Sequence, residues 1–153
     1  MPELISILTK EEICRKVASV AEKISQDYQN RELFLIGVLK GSFIFLADLI
    51  RQLTIPVEID FVGTSSYGSG SSSSGNICLT KEISSDIRGK DVIVIEDIID
   101  TGITLKYLID YLNSFEPRSV SICAFIDKTE RRETDIHIDY CCHKVEQGFL
   151  VGY

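Results

Sequence analysis

Residues 91–105 read DVIVIEDIIDTGITL. Val92–Ile95 form an unbroken β-branched run, the pattern of a strand buried on both faces of a parallel sheet. The strand, placed at 91–97, carries Glu96 and Asp97 to its C-terminal end. Asp100-Thr101-Gly102 then punctuates the chain as a turn. In the helix that follows, ITLKYLIDYLNSF, residues Leu105, Leu108, Ile109 and Leu112 make one apolar face. Working outward, LFLIGVL (33–39) and SVSICAFI (119–126) are runs of the same buried-strand type, and IHIDY (136–140) alternates like a further strand. Between the first two elements, Lys40-Gly41-Ser42 leads into the helical FIFLADLIRQL, with Ser42 near its N-cap. Upstream, Thr9 precedes Ile13, Val17, Val20 and Ile24 at helical spacing, and Glu12 stands where it completes a capping box. Strands alternating with helices predict an α/β fold with a central, mostly parallel sheet flanked by helices.

VEIDFVGTSS (57–66) and NICLTKEI (76–83) alternate as two strands of a hairpin whose tip is the stretch SSYGSGSSSSG, residues 65–75. Such a stretch reads as an interdomain linker, an inert exposed loop or a mobile active-site cover. A linker separates autonomous cores, and short flanking strands cannot bury themselves alone. The expected organisation is therefore a single domain, 1–153, with the stretch at a hairpin tip, where composition alone leaves an inert exposed loop and an active-site cover equally open.

The 153 residues are 44% hydrophobic and carry a formal charge of -7. That sign repels phosphate backbones and anionic membrane surfaces, so neither nucleic acid nor membrane is expected as a partner. The N-terminus lacks the pattern of a signal peptide, and no segment approaches the ~18 apolar residues of a membrane span. Five cysteines without a CxxC spacing and two histidines make no zinc-site pattern. Reduced thiols and a cytoplasmic location are the expectation.

Three carboxylates (Glu96, Asp97, Asp100) and two threonines (Thr101, Thr104) fall within nine residues around a strand end and a helix start. Ligands of open α/β sheets bind at that end of the strands. A glycine-containing turn with fresh helix N–H groups suits a phosphate, whereas adjacent carboxylates suit hydroxyls or a hard cation such as Mg²⁺. The bland alternative, that the carboxylates cap a helix and solvate a strand end, explains a lone acidic pair more readily than this crowding. A phosphate cradle beside a polyol site matches a ribose 5-phosphate.

EDIIDTGITL (96–105) resembles the phosphoribosyl-diphosphate signature of the type I phosphoribosyltransferases. LKGS (39–42), SSYG (65–68), AFIDK (124–128) and FLVGY (149–153) recur in the order of the hypoxanthine-guanine branch. The resemblance implies transfer of the 5-phosphoribosyl group from phosphoribosyl diphosphate to a 6-oxopurine, hypoxanthine or guanine, with Mg²⁺ as cofactor and a homodimer or homotetramer as the assembly. It implies that Lys40 and Gly41 meet diphosphate, with the Leu39–Lys40 peptide able to become cis. Glu96 and Asp97 would bind the ribose hydroxyls and Mg²⁺. Asp100 would be the acid/base group near purine N7. The 5-phosphate would be held by Asp100, Thr101, Gly102, Ile103, Thr104 and Leu105.

Lys128 would donate to the 6-oxo group, Phe149 would stack on the purine, and the Leu150 backbone would read its edge. Ser66 and Tyr67 would be the lid contacts. The alternative for Lys128 is a solvated lysine in the basic turn KTERR. Two departures stand out. Ile103 occupies a position where several relatives carry a basic residue, with little loss expected because backbone N–H groups hold the phosphate. The family pattern also continues beyond Tyr153 with an aspartate and an arginine that serve Mg²⁺ and diphosphate, so weakened diphosphate binding is expected. Competing classes are a fold relative that binds RNA to control pyrimidine genes, which calls for a basic face, and a phosphoacceptor receiver domain, which leaves LKGS and the serine-rich stretch unexplained.

Overall fold

The computed structural model describes residues 3–66 and 77–153. In order these form α1 (Lys10–Asp27), β1 (Leu33–Leu39), α2 (Phe43–Gln52), β2 (Glu58–Ser66), β3 (Ile77–Lys81), β4 (Asp91–Ile99), α3 (Ile103–Asn113), β5 (Ser119–Lys128) and β6 (Tyr140–Val145). The strands make one six-stranded sheet in the order β3-β2-β1-β4-β5-β6. All neighbouring pairs are parallel except β2 with β3, where Ser66 lies opposite Ile77. The two flanks of the serine-rich stretch are thus adjacent strands of one sheet. Residues 67–76, and with them Tyr67 and the proposed lid tip, lie outside the described residues.

The β-branched runs alternate as a doubly covered sheet requires. Leu33, Leu35, Ile93 and Ile95 pack with Val17, Ile24, Phe45 and Leu49 of α1 and α2. Phe34, Ile36, Val92 and Val94 face the other way, onto Leu105, Leu108 and Leu112 of α3. Burying one such aliphatic side chain contributes ~1.5–3 kcal/mol, which sets the register on both faces. At the start of α1, Thr9 Oγ1 accepts from Glu12 N at 3.1 Å and Glu12 Oε1 accepts from Thr9 N at 3.2 Å, completing the capping box.

Two local expectations are corrected. Ser42 is the N-cap of α2 in backbone position but makes no side-chain cap, because its hydroxyl donates instead to the Val38 carbonyl at 2.7 Å. The strand expected at 136–140 begins at Tyr140 and runs to Val145. Ile136 and Ile138 alternate because they pack on the core beneath α3. Asp139 Oδ2 accepts from Ile122 N at 2.8 Å, which ties this stretch to β5 before the parallel ladder starts. Alternation there reports core contact without sheet pairing.

From β1 the chain moves through α2 to β2 on one side, and from β4 through α3 to β5 on the other. The direction of progression reverses between β1 and β4. The crevice beyond their C-terminal ends is the switch point where open α/β sheets hold ligands. Among the described residues no helix is long and apolar enough to cross a membrane.

Candidate active site

A cleft of about 270 Å³ opens at that switch point. The end of β1 contributes Leu39 and Gly41, the end of β4 contributes Glu96 and Asp100, and the turn into α3 contributes Thr101, Gly102, Thr104 and Leu105. Thr64, from β2, also lines it. A larger, more apolar groove of about 600 Å³ runs between α1 and α2, lined by Ile13, Val17, Ile44 and Tyr153, and none of the β4-end carboxylates reaches it. Chemistry belongs to the smaller cleft.

The Leu39–Lys40 peptide is cis, and the Lys40 side chain is exposed. Gly41 matters sterically. A Cβ there would lie 2.6 Å from Asp97 Oδ2, so the loop approaches this carboxylate as closely as it does only because the residue has no side chain. Asp97 in turn accepts from Ile98 N at 2.8 Å, and Glu96 Oε1 accepts from Asp97 N at 3.1 Å. The Glu96 carboxyl is wrapped in protein, and burial pushes it well above the usual carboxylate range, with the adjacent Asp97 adding to the effect.

Asp100 sits at the mouth of the turn. Its Oδ1 is buried without a hydrogen-bond partner. Its Oδ2 faces Lys128 Nζ at 3.7 Å and Arg131 Nη1 at 3.4 Å. Lys128 is 8% exposed, which corrects the picture of a solvated lysine in a basic turn: β5 extends to this residue and pairs it with Val145. A buried ammonium thus stands beside a carboxylate that keeps a spare acceptor. Gly102 has φ 86°, and a Cβ on it would collide with Thr134 Oγ1 and lie 2.8 Å from Ile136 Cδ1. It caps α3, whose first N–H groups have no intrahelical acceptor, and Thr101 Oγ1 accepts from Ile103 N at 3.3 Å.

The structure places Gly41, Glu96, Asp100, Thr101, Gly102, Thr104 and Leu105 in the lining of one crevice, with Asp97 against Gly41 and Lys128 against Asp100, while Asp97, Lys128 and Ile103 are not part of that lining. It does not bring Phe149 or Leu150 there. Phe149 is 91% exposed, and Leu150 packs against the core beneath α1 and α2. Ser66 ends β2 beside the undescribed stretch. Among the described residues no group of three or more His, Cys, Asp or Glu side chains could hold a metal ion. Glu96 and Asp97 supply two carboxylates, which suits Mg²⁺, since that ion binds one or two carboxylates and completes its shell with water and substrate oxygens. Sequence reasoning missed Arg132, whose guanidinium bridges the ends of β4 and β5. The signal was the cluster KTERR directly after a strand at the ligand-binding edge.

The phosphoribosyl transferase domain profile matches residues 5–153. The chain is 39% identical over 150 residues to the hypoxanthine phosphoribosyltransferase of Haemophilus influenzae, covering 96% of this chain and 84% of that protein. It is 43% identical over 148 residues to the hypoxanthine-guanine phosphoribosyltransferase of Aquifex aeolicus, covering 96% and 83%. The crystal structure of a hypoxanthine phosphoribosyltransferase from Staphylococcus aureus superposes with a TM-score of 0.94 at 38% identity, covering 97% of this chain and 81% of that one.

Proposed function

The chain belongs to the phosphoribosyl transferase family, and from that premise we propose that it makes a purine nucleotide by transferring the 5-phosphoribosyl group from phosphoribosyl diphosphate to hypoxanthine or guanine. In this reaction the bond from C1′ to the diphosphate oxygen breaks, a bond from C1′ to purine N9 forms, and diphosphate leaves. The observation that carries this reading is Asp100: one carboxylate oxygen buried and unpartnered, the other facing Lys128, beside an N–H-rich helix start.

The phosphate end of the substrate is assigned to residues 100–105, because unpaired N–H groups and the helix dipole favour an anion. Glu96 and Asp97 take the ribose hydroxyls. Mg²⁺, when bound there with the substrate, neutralises part of the diphosphate charge. The Lys40-Gly41 loop meets diphosphate from the β1 side. Lys128 donates to the 6-oxo group, orienting the ring so that Asp100 exchanges a proton at N7 as the new bond forms. Positively charged C1′ in such a transition state is open to attack by water, so a cover built from residues 65–75, with Ser66 and Tyr67, fits the chemistry.

The phosphoacceptor alternative leaves LKGS (39–42) and the serine-rich stretch 65–75 without a role. RNA control is disfavoured by the charge of -7. The test is product formation: the chain, phosphoribosyl diphosphate and Mg²⁺ are incubated with each purine and pyrimidine base, and the nucleotides are separated by chromatography. IMP and GMP are expected. A chain that makes neither, while folded, does not have this function.

A further inference from the structure

One guanidinium outside the cleft collects four acceptors. Arg132 Nε donates to the Asp100 carbonyl at 2.8 Å, and its Nη2 donates to the Ile99 carbonyl at 3.3 Å, the Lys128 carbonyl at 3.1 Å and the Asp127 carboxylate. The next carbonyl along, that of Thr101, accepts from Glu133 N at 2.9 Å and from Thr134 N and Oγ1 at 3.4 Å. Three successive carbonyls, of residues 99, 100 and 101, are therefore drawn toward the segment 132–134. In a strand they would alternate in direction.

A planar trans peptide holds the C=O of one residue and the N–H of the next on opposite sides. Carbonyls 99–101 held outward leave the N–H groups of Asp100, Thr101 and Gly102 turned away from Arg132. Arg132 does not line the cleft, whereas Asp100, Thr101 and Gly102 do. Those N–H groups accordingly point into it, and they form a concave row of donors of the kind that holds an anion.

We propose that Arg132 is a positioning residue for the phosphate site. It aims the 100–102 amides by capturing their carbonyl partners, and it fixes that cradle to the Asp127–Lys128 end of β5, so that phosphate and base are held at a set separation. The proposal rests on the reading that residues 100–105 hold the 5-phosphate. Arg132 touches no reacting atom, and its effect reaches the ligand through the backbone of β4 and through Lys128.

The experiment compares IMP with inosine on the wild-type chain, Arg132→Gln and Arg132→Lys, with dissociation constants from NMR titration and the ³¹P shift of bound IMP. The ratio of the two constants isolates what the phosphate contributes. In Arg132→Gln that ratio is expected to fall about 10- to 100-fold, the scale of charge-assisted hydrogen bonds, with the ³¹P shift moving toward that of free IMP. Arg132→Lys should fall between, because one ammonium cannot span both the β4 carbonyls and Asp127. If Arg132→Gln does not fold, Arg132→Lys decides alone. An unchanged ratio in a folded variant, with inosine and IMP weakened equally or not at all, overturns the proposal. Absence of any phosphate contribution in the wild-type chain instead removes the underlying phosphate assignment, and the proposal with it.

Discussion

Asp100 presents one oxygen to Lys128 and Arg131 and keeps the other buried and unpaired. Such an atom loses hydrogen bonds on folding that a donor on a ligand would restore, which supports the acid/base role proposed for Asp100. Asp100→Asn is expected to lower kcat by ~10²–10⁴-fold, the usual worth of general acid–base help, with KM for phosphoribosyl diphosphate nearly unchanged. Steady-state kinetics at saturating Mg²⁺ checks this, and equal turnover would take Asp100 out of the mechanism. Glu96 makes a different prediction, about stability. Its carboxyl is held well above the ordinary value of 4.5 by burial, then by Asp97. Below the unfolded value both states are protonated and nothing differs. As pH rises past it, the unfolded chain loses a proton that the native chain keeps, so the native state is progressively disfavoured until its own carboxyl ionises. Glu96→Gln removes this dependence. The variant should match the parent near about pH 4 and exceed it near about pH 7.5 in urea midpoint, while losing activity. A stability difference independent of pH would mean that burial of the charge is not the cause. The acidic pair was legible from residue type and strand position; the burial that raises Glu96 was not, because it comes from the folded surroundings of the strand end.

At the scale of elements, the turn between β4 and α3 is tightened from outside by the β5–β6 connection. Gly102 is left-handed at φ 86°, which costs an L-residue ~1–2 kcal/mol, and an added Cβ would also strike Thr134 and Ile136. Gly102→Ala is expected to lower stability by roughly 2–4 kcal/mol, read as a shift in urea midpoint, and to weaken IMP binding as the amides rotate. Gly41 is the contrasting case, since its conformation is ordinary and its Cβ would meet the Asp97 carboxylate alone. Gly41→Ala should change stability by less than about 1 kcal/mol yet raise KM for phosphoribosyl diphosphate, because it displaces the Asp97 carboxylate, proposed to hold ribose, and not a core group. Loss of fold in that variant would place Gly41 among the structural glycines. The sequence marked both glycines through their motifs. It did not reveal their collision partners, which come from segments 32 to 56 residues away in the chain. The misplaced strand at 136–140 has the same origin: period-two alternation reports burial of Ile136 and Ile138, and a coil packed on a core under α3 buries them as a strand would.

Over the whole molecule, the parallel order of the sheet was legible because β1, β4 and β5 are continuous apolar runs, a pattern that two covered faces produce and one does not. Phe149 was less legible. Its expected place over the purine came from family resemblance, and at 91% exposure it is not part of the lining of the cleft that holds Asp100. The two cores beneath α1–α2 and α3 share the strands β1 and β4, since alternate side chains of Leu33–Ile36 and Val92–Ile95 belong to each. Neither core can lose its packing while the other keeps its strands. The site draws on the ends of β1, β4 and β5 together. A ligand there stabilises the sheet as a unit, by RT ln(1 + [L]/Kd), or ~2.7 kcal/mol at one hundred times Kd. For a chain of this length each kcal/mol moves the midpoint by about 2–4 °C. IMP at that concentration is therefore expected to raise Tm by roughly 5–10 °C while preserving a single transition, and inosine to raise it less, because it lacks the phosphate proposed for the 100–105 turn. Calorimetric scans with each ligand decide it. Two separated transitions, with IMP moving one of them, would show that the cores unfold independently and that the site belongs to one half of the sheet.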